Sequence, residues 1–476
     1  MSLRIVARNA LSLVSANLLG SAIGFAVTVL LVRYLGVEGI GRYTYITTYA
    51  TLFGILSNSG LYLVLTREIA AEPRDAGVRL GSVLLLQLFL SPLALAVTVG
   101  TALALHPRSE IVPIAVSAIG VILTSVAGTY GAVVTGREKI HLNAAVNVGM
   151  AALWALLVLG LIGLRLGVLS LIVLFALHKL ANVVALRLVC RRACGVAPRY
   201  GLRGLPVRGL LVAAAPFALV IMLNDFYWNV GVIVLGRLRG AEEVGTFTVA
   251  FRVISVLIAV VGTVSGVLYP RLAHLFTADP DVFAGLVARI RKYSLAIGLP
   301  LGLAISVFAD SIIRLLFGAE FQAAAGPLRT LGWFIPLFCL YSPLSSAMLA
   351  MGAERMWLAL SAAATGLVAV GSVVLAPPLG HLGVAWAVLG SGLFLGAAVA
   401  WAVRARGVPL SLTTADLKVW GALGAMGLVL WWWRGAPLPA LVGSSAAYAA
   451  VLHLAGFVTA EERFSFRTAL GPRQKG

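Results

Sequence analysis

Arg252, Lys179 and Asp225 are charged side chains set within runs that are otherwise apolar over about 20 residues, long enough to cross a bilayer. A charge near mid-bilayer costs about 2.5–3.5 kcal/mol on insertion scales, so such a group faces a cavity, a partner or water. Arg252 lies about seven residues inside the run 246–270. There it can bind an anionic headgroup from a central cavity, or it can snorkel outward or pair structurally with a carboxylate. Lys179 sits beside His178 in the run 167–189, and snorkelling would have to span about two helical turns. It therefore faces a cavity or packs beside the basic segment that follows. Asn229 comes one turn after Asp225 on the same helical face, so the two form a cation or proton site, a partner for Arg252, or a structural polar contact. Asn17, Asn58, Asn147 and Asn224, with Gln87 and Asn182, supply amides that can line a hydrophilic route for hydroxyl groups or join helices.

Other chemistries find no footing. The chain has no Walker A loop, no HExxH, no nucleophile elbow and no acidic pair spaced for metal-dependent transfer. Cys190, Cys194 and Cys339 make neither a metal nor a disulfide framework, and CxxxC at 190–194 is read as incidental. The expectation is a non-enzyme with no metal and no cofactor.

The elements that must position these groups are membrane spans. Mean hydropathy is +1.01, with 61% apolar and 11% charged residues, outside the range of soluble domains. Cutting at charge clusters and Gly/Pro turns gives roughly 14 spans of about 20 residues. They are 12–35, 43–65, 80–105, 111–134, 144–164 and 167–189, then 209–236, 246–270, 293–317, 328–351, 357–376 and 384–403. A last pair follows at 418–433 and 438–457. The run from Leu11 to Leu35 is too long for a signal-peptide core and reads as an uncleaved first span.

The net charge of +19 does not mark a nucleic-acid binder, because the cations lie in short loops between apolar runs. With the N-terminus placed in the cytoplasm, about 25 Lys and Arg fall inside and about 9 outside, the orientation that the positive-inside rule favours. The linker 191–208 alone carries five of the arginines: Arg191, Arg192, Arg199, Arg203 and Arg208. The expected organisation is a six-helix lobe at 1–190, this cytoplasmic linker at 191–208, a second lobe at 209–406, an extra helix pair at 407–457 and a cytoplasmic tail at 458–476.

The halves echo one another. Gly36-Val37-Glu38-Gly39-Ile40-Gly41-Arg42-Tyr43-Thr44 recurs as Gly240-Ala241-Glu242-Glu243-Val244-Gly245-Thr246-Phe247-Thr248, and the same register sets Arg33 on Arg237. A second echo pairs Gly136-Arg137-Glu138-Lys139 with Gly352-Ala353-Glu354-Arg355. Six spans per half is an even number, so the repeat is parallel, with its axis along the membrane normal. Paired halves around a midplane site are the organisation of a transporter. The first echo falls at the outer ends of spans and the second at the inner ends.

Arg33-Tyr34-Leu35-Gly36-x-Glu38-x-x-Gly41-x-Tyr43, then Asn58-Ser59-Gly60-Leu61 leading to Thr66-Arg67-Glu68, resembles the opening of bacterial polysaccharide transporters. These are the O-antigen and lipid-linked oligosaccharide flippases, in the superfamily that also holds MATE exporters and lipid II flippases. Ala250-Phe251-Arg252, Tyr269-Pro270-Arg271-Leu272 and Leu316-Phe317-Gly318-Ala319-Glu320-Phe321 are similar as well. The resemblance covers the first twelve spans. It implies an all-α fold of two six-helix lobes around a central cavity, plus the C-terminal pair. It implies alternating-access transfer of a polyprenyl-pyrophosphate-linked glycan from the inner to the outer leaflet of the cytoplasmic membrane, with polysaccharide polymerase and chain-length machinery as partners. Arg252 matches the family's frequent cation in the eighth span. Other members of the superfamily carry several cations within the first two spans; here Arg33 and Arg42 lie at the outer ends and the inner first span offers only Asn17. Two other readings stand beside this one: a MATE-like cation-coupled exporter of organic cations, and a non-transporting scaffold for glycan-synthesis enzymes.

Overall fold

The computed structural model describes the backbone of residues 3–58, 60–200, 207–410, 413–432 and 437–458. The side chains of 3–19, 21, 58, 207, 208, 437 and 438 lie outside the described residues, and with them those of Asn17 and Asn58.

In hydrocarbon each backbone N–H and C=O must find its partner within the segment, so apolar runs of this length become helices. Among the described residues the regular structure is entirely helical. The first half comprises α1 (Leu3–Asn58), α2 (Leu61–Ala71), α3 (Ala76–Leu105), α4 (Arg108–Gly136), α5 (Ile140–Gly163) and α6 (Val168–Arg192). There follow α7 (Val207–Arg239), α8 (Ala241–Ala278), α9 (Pro280–Val307), α10 (Ala309–Leu316), α11 (Ala325–Gly332) and α12 (Phe334–Ala350). The chain closes with α13 (Glu354–Leu379), α14 (His381–Arg404), α15 (Thr414–Trp432) and α16 (Pro437–Leu454).

Ten of these helices are long and apolar enough to cross a membrane, or eleven when the bent pair of 319–332 with α12 is taken as one span. Sequence patterning gives about 14; the lower count takes α1 as one span and leaves out α15 and α16. Gly36 takes φ 69° and ψ 179°, a non-helical break at which two helices meet, so α1 holds two of the apolar runs. The last two helices are short, 19 and 18 residues.

The two echoes differ at this level. Gly36 and Gly240 both adopt left-handed φ, 69° and 90°, a conformation glycine reaches without a Cβ penalty. In the second echo Gly352 is left-handed at φ 70°, whereas in the first half Glu138 takes that role at φ 60° and Gly136 stays helical.

Contacts divide the chain into two compact units. The first is Met1–Arg252, Leu316–Ala323 and Ser361–Ala387; the second is Val253–Leu315, Ala324–Leu360 and Val388–Gly476. In the first, Leu61, Leu65, Ile69, Leu80 and Val133 form a buried core of α2, α3 and α4. A polar thread crosses the same unit: Ser57 Oγ donates to Ser125 Oγ at 2.9 Å, and Thr129 Oγ1 donates to Gln87 Oε1 at 3.0 Å. Gln87 is 1% exposed, so this amide joins helices. In the second unit α15 and α16 pack on α9 through Ala422, Met426, Ala440 and Tyr448, whose hydroxyl donates to Ala296 O at 2.7 Å. Arg291 Nη2 meets Asp416 Oδ2 at 3.0 Å in a buried pair.

Candidate functional site

Arg252, Asp225 and Lys179 fall in the first unit, each with its own neighbours. Arg252 is an exposed cation on the membrane-crossing helix α8. Tyr43 of α1 lies near enough to act on it electrostatically. Phe251, beside it in sequence, meets Trp228 of α7 at 5.7 Å between ring centroids and stacks on Phe247 at 5.9 Å. Aromatic faces therefore flank the arginine position on α7 and α8.

Asp225 is half-buried one turn before Asn229, whose Nδ2 donates to the Asp225 backbone carbonyl at 2.8 Å. That amide is thus spent on its own helix, and the carboxylate acts electrostatically on Tyr62 of α2. Asn224 is exposed on α7, and Asn147 is exposed on α5. Lys179 is half-buried on α6 with its ammonium 5.2 Å from the centre of the Phe175 ring, a cation–π contact one turn away. The neighbouring His178 ring bonds Met150 O at 3.0 Å and packs on Trp154. Lys179 so has an aromatic partner on its own helix.

The repeated turns meet face to face within this unit. A Cβ built on Gly41 would overlap the carbonyl oxygen of Ala241, and one built on Gly245 would overlap the carbonyl oxygen of Val37. Val37 and Ala241 are themselves equivalent in the repeat, so the contact is reciprocal, as at a two-fold interface. The aligned arginines repeat the pattern. Arg33 Nε donates to Leu316 O at 2.7 Å, and Arg237 Nη1 donates to Leu105 O at 3.1 Å. Each guanidinium thereby satisfies a carbonyl at a helix C-terminus, where cations are favoured.

Two histidines complete this end. His381 Nδ1 lies 2.6 Å from Glu243 Oε2, and its backbone N–H donates to the same oxygen at 2.7 Å. His106 Nε2 and the Tyr45 hydroxyl are 2.7 Å apart. Nothing in the sequence singles out His106, Tyr45 or His381, since each stands alone in its run. The repeat does mark Gly41 and Gly245, which meet at the seam, and Arg33 and Arg237, each of which bonds a helix end.

The fold is shared with solved transporters of low sequence identity. A lipid II flippase, MurJ, in an inward closed conformation matches with a TM-score of 0.77 at 14% identity, covering 96% of this chain and 99% of that one. An outward-facing multidrug resistance MATE family transporter of the MOP superfamily matches with a TM-score of 0.59 at 17% identity, covering 84% and 94%. The MATE multidrug transporter DinF-BH gives 0.61 at 16%, covering 86% and 97%. Comparison with curated proteins finds no match. Residues 6–276 match the family described as polysaccharide biosynthesis protein. Spanning more than half of the sequence, that match places the chain, a multi-pass helical membrane protein of transporter-type fold, in the polysaccharide biosynthesis protein family.

Proposed function

We propose that this protein is a flippase that moves a polyprenyl-pyrophosphate-linked oligosaccharide from the inner to the outer leaflet of the cytoplasmic membrane by alternating access. The observation that carries this reading is Arg252, an exposed cation within a membrane-crossing helix. A pyrophosphate cannot cross hydrocarbon unaided, and a cation in low-dielectric surroundings attracts it more strongly than one in water. Family membership and the likeness to a lipid II flippase support the same cargo chemistry. Arg252 binds the pyrophosphate, with Lys179 as a second cation. Asn17, Asn58, Asn147 and Asn224 contact the glycan hydroxyls, and the polyprenyl tail stays in lipid. The N- and C-termini are cytoplasmic, which puts the Gly36 and Gly240 turns outside. Polysaccharide polymerase and chain-length machinery receive the product.

The MATE-like likeness and the half-buried Asp225–Asn229 turn favour a second reading, export of organic cations coupled to an ion at Asp225. Proteoliposome transfer of a polyprenyl-pyrophosphate glycan, run beside uptake of a cationic dye, separates the two. Glycan transfer without dye movement is expected. Dye movement alone would assign the exporter role and make Asp225 the residue to substitute.

A further inference from the structure

His106 is the first residue after α3, and helices from both halves of the sequence surround its ring. From α1, Tyr45 bonds Nε2, and the Tyr49 ring meets the imidazole edge-on at 4.6 Å. Tyr49 is held in turn by Thr101 of α3, to which its hydroxyl donates at 2.9 Å. From α4, Glu110 acts on the ring and also faces Arg42 of α1 at 3.6 Å. From α7, Arg237 acts on it while donating to the adjacent Leu105 carbonyl. Gly236 of α7 presses on the far side of Tyr45, where a Cβ would overlap the ring. Arg108, two residues on, is exposed.

His106 Nδ1 is buried without a hydrogen bond among the described residues. The Ala102 carbonyl, which favours a charged ring, already accepts the His106 backbone N–H at 2.8 Å. A neutral imidazole can bond Tyr45 through Nε2 as donor or acceptor, according to tautomer, and the tautomer with Nε2–H places no proton on the buried Nδ1. An imidazolium carries N–H groups on both nitrogens, and the buried Nδ1–H then has only the already occupied Ala102 carbonyl to turn to.

We propose that His106 is a proton-responsive catch of the transport cycle: external acid charges its ring, releases α1 and α3 from α7, and favours opening to the outside. The catch rests on the alternating-access reading above and on the outer placement of this end. Burial pushes the ring below the ordinary imidazole range; Arg237 acts in the same direction, and Glu110 and the Ala102 carbonyl act against it. Linkage then gives the sign. The closed contact holds the neutral ring, whereas a released, hydrated ring titrates near its ordinary value of about 6.5. Closure is therefore fully favoured above that value and weakens as pH falls through it, by about tenfold per unit of difference between the two pKa values.

The test is a conformational readout that needs no cargo. Thr248 is buried on α8 one turn beyond Gly245, so Thr248→Cys reports opening of the seam. Cys190, Cys194 and Cys339 are first replaced by serine, and an impermeant maleimide is added outside proteoliposomes. Leu164→Cys, 73% exposed at the end of α5, corrects for the pH dependence of thiol reactivity. The corrected labelling rate is expected to rise between pH 7.5 and 5.5, by up to about tenfold. It should stay low and flat in His106→Gln, and should be raised already at pH 7.5 in Tyr45→Phe, which keeps the ring but removes its hydrogen bond. A flat profile with His106 present, or an equal rise in His106→Gln, overturns the catch. An intact pH response without glycan transfer would fault the cargo assignment instead, whereas glycan transfer with a flat profile would fault the catch alone.

Discussion

Arg33 and Arg237 occupy equivalent positions in the sequence repeat, and each donates a hydrogen bond to the last carbonyl of a helix from the opposite half of the chain, Arg33 to Leu316 and Arg237 to Leu105. Between these contacts Gly41 and Gly245 lie against the backbones of Ala241 and Val37. The repeat thus returns as a reciprocal contact, in which each copy of the motif completes the other.

Equivalence predicts equal consequences. Arg33→Gln and Arg237→Gln should each lower stability in detergent modestly, by less than about 1 kcal/mol, because both guanidinium groups are exposed and the bonds compete with water. Thermal unfolding of the two variants tests this. A large loss from one and none from the other would break the equivalence.

The glycine seam predicts coupling. Gly41→Ala or Gly245→Ala should each cost the closed contact about 1–3 kcal/mol through overpacking. The double variant should cost clearly less than the sum, since the first separation already makes room for the second methyl. Labelling of Thr248→Cys at pH 7.5 measures all three, and strict additivity would mean that the two glycines act in separate contacts.

Removing the Arg252 cation should stop transport without unfolding the protein. Arg252→Ala is expected to lose glycan transfer at unchanged protein level, while Arg252→Lys keeps part of it because a point charge survives without the planar fork. Full transfer by Arg252→Ala in proteoliposomes would remove the anion-binding assignment.

The pair of Arg291 with Asp416 fastens α15 to α9. Arg291→Ala should destabilise by about 3–5 kcal/mol because it strands a buried carboxylate, whereas Arg291→Met with Asp416→Leu should recover most of the loss. Burial acts to raise the Asp416 carboxyl, but donation from the Thr413 backbone, from Arg291 and from the Thr413 hydroxyl outweighs it and holds the group below the ordinary carboxylate range. The pair therefore contributes fully above about pH 4, the ordinary aspartate value, and its contribution is lost as pH falls toward the depressed one. Unfolding midpoints of wild type and the Met/Leu double variant between pH 3 and 7 should diverge in that sense.

Much of the architecture is legible in the sequence because hydrocarbon leaves a chain few options: an apolar run of span length must satisfy its own backbone, and so it becomes a helix. The echo at Gly36 and Gly240 is legible for a related reason, since left-handed backbone in a tight turn selects glycine. The break at Gly36 is legible too, since the pattern shows two runs where α1 divides into two helices.

Side-chain roles divide along the same line. Sequence by itself determined which charges sit within spans, because insertion cost makes Arg252, Lys179 and Asp225 conspicuous wherever their helices lie. It also fixed the pairing of Gly41 with Gly245 and of Arg33 with Arg237 as equivalents. Only the tertiary structure decided what each one meets. The ring of Phe175 takes the Lys179 ammonium, the Asn229 amide turns back on its own helix, and His106 finds Tyr45 and Arg237. The first two close within a single helix, whereas the contacts of His106 depend on helix rotation and on the approach of segments far apart in the chain. A one-dimensional pattern of apolar runs fixes the length of a helix but leaves free its rotation, and so which of its faces a distant helix will meet.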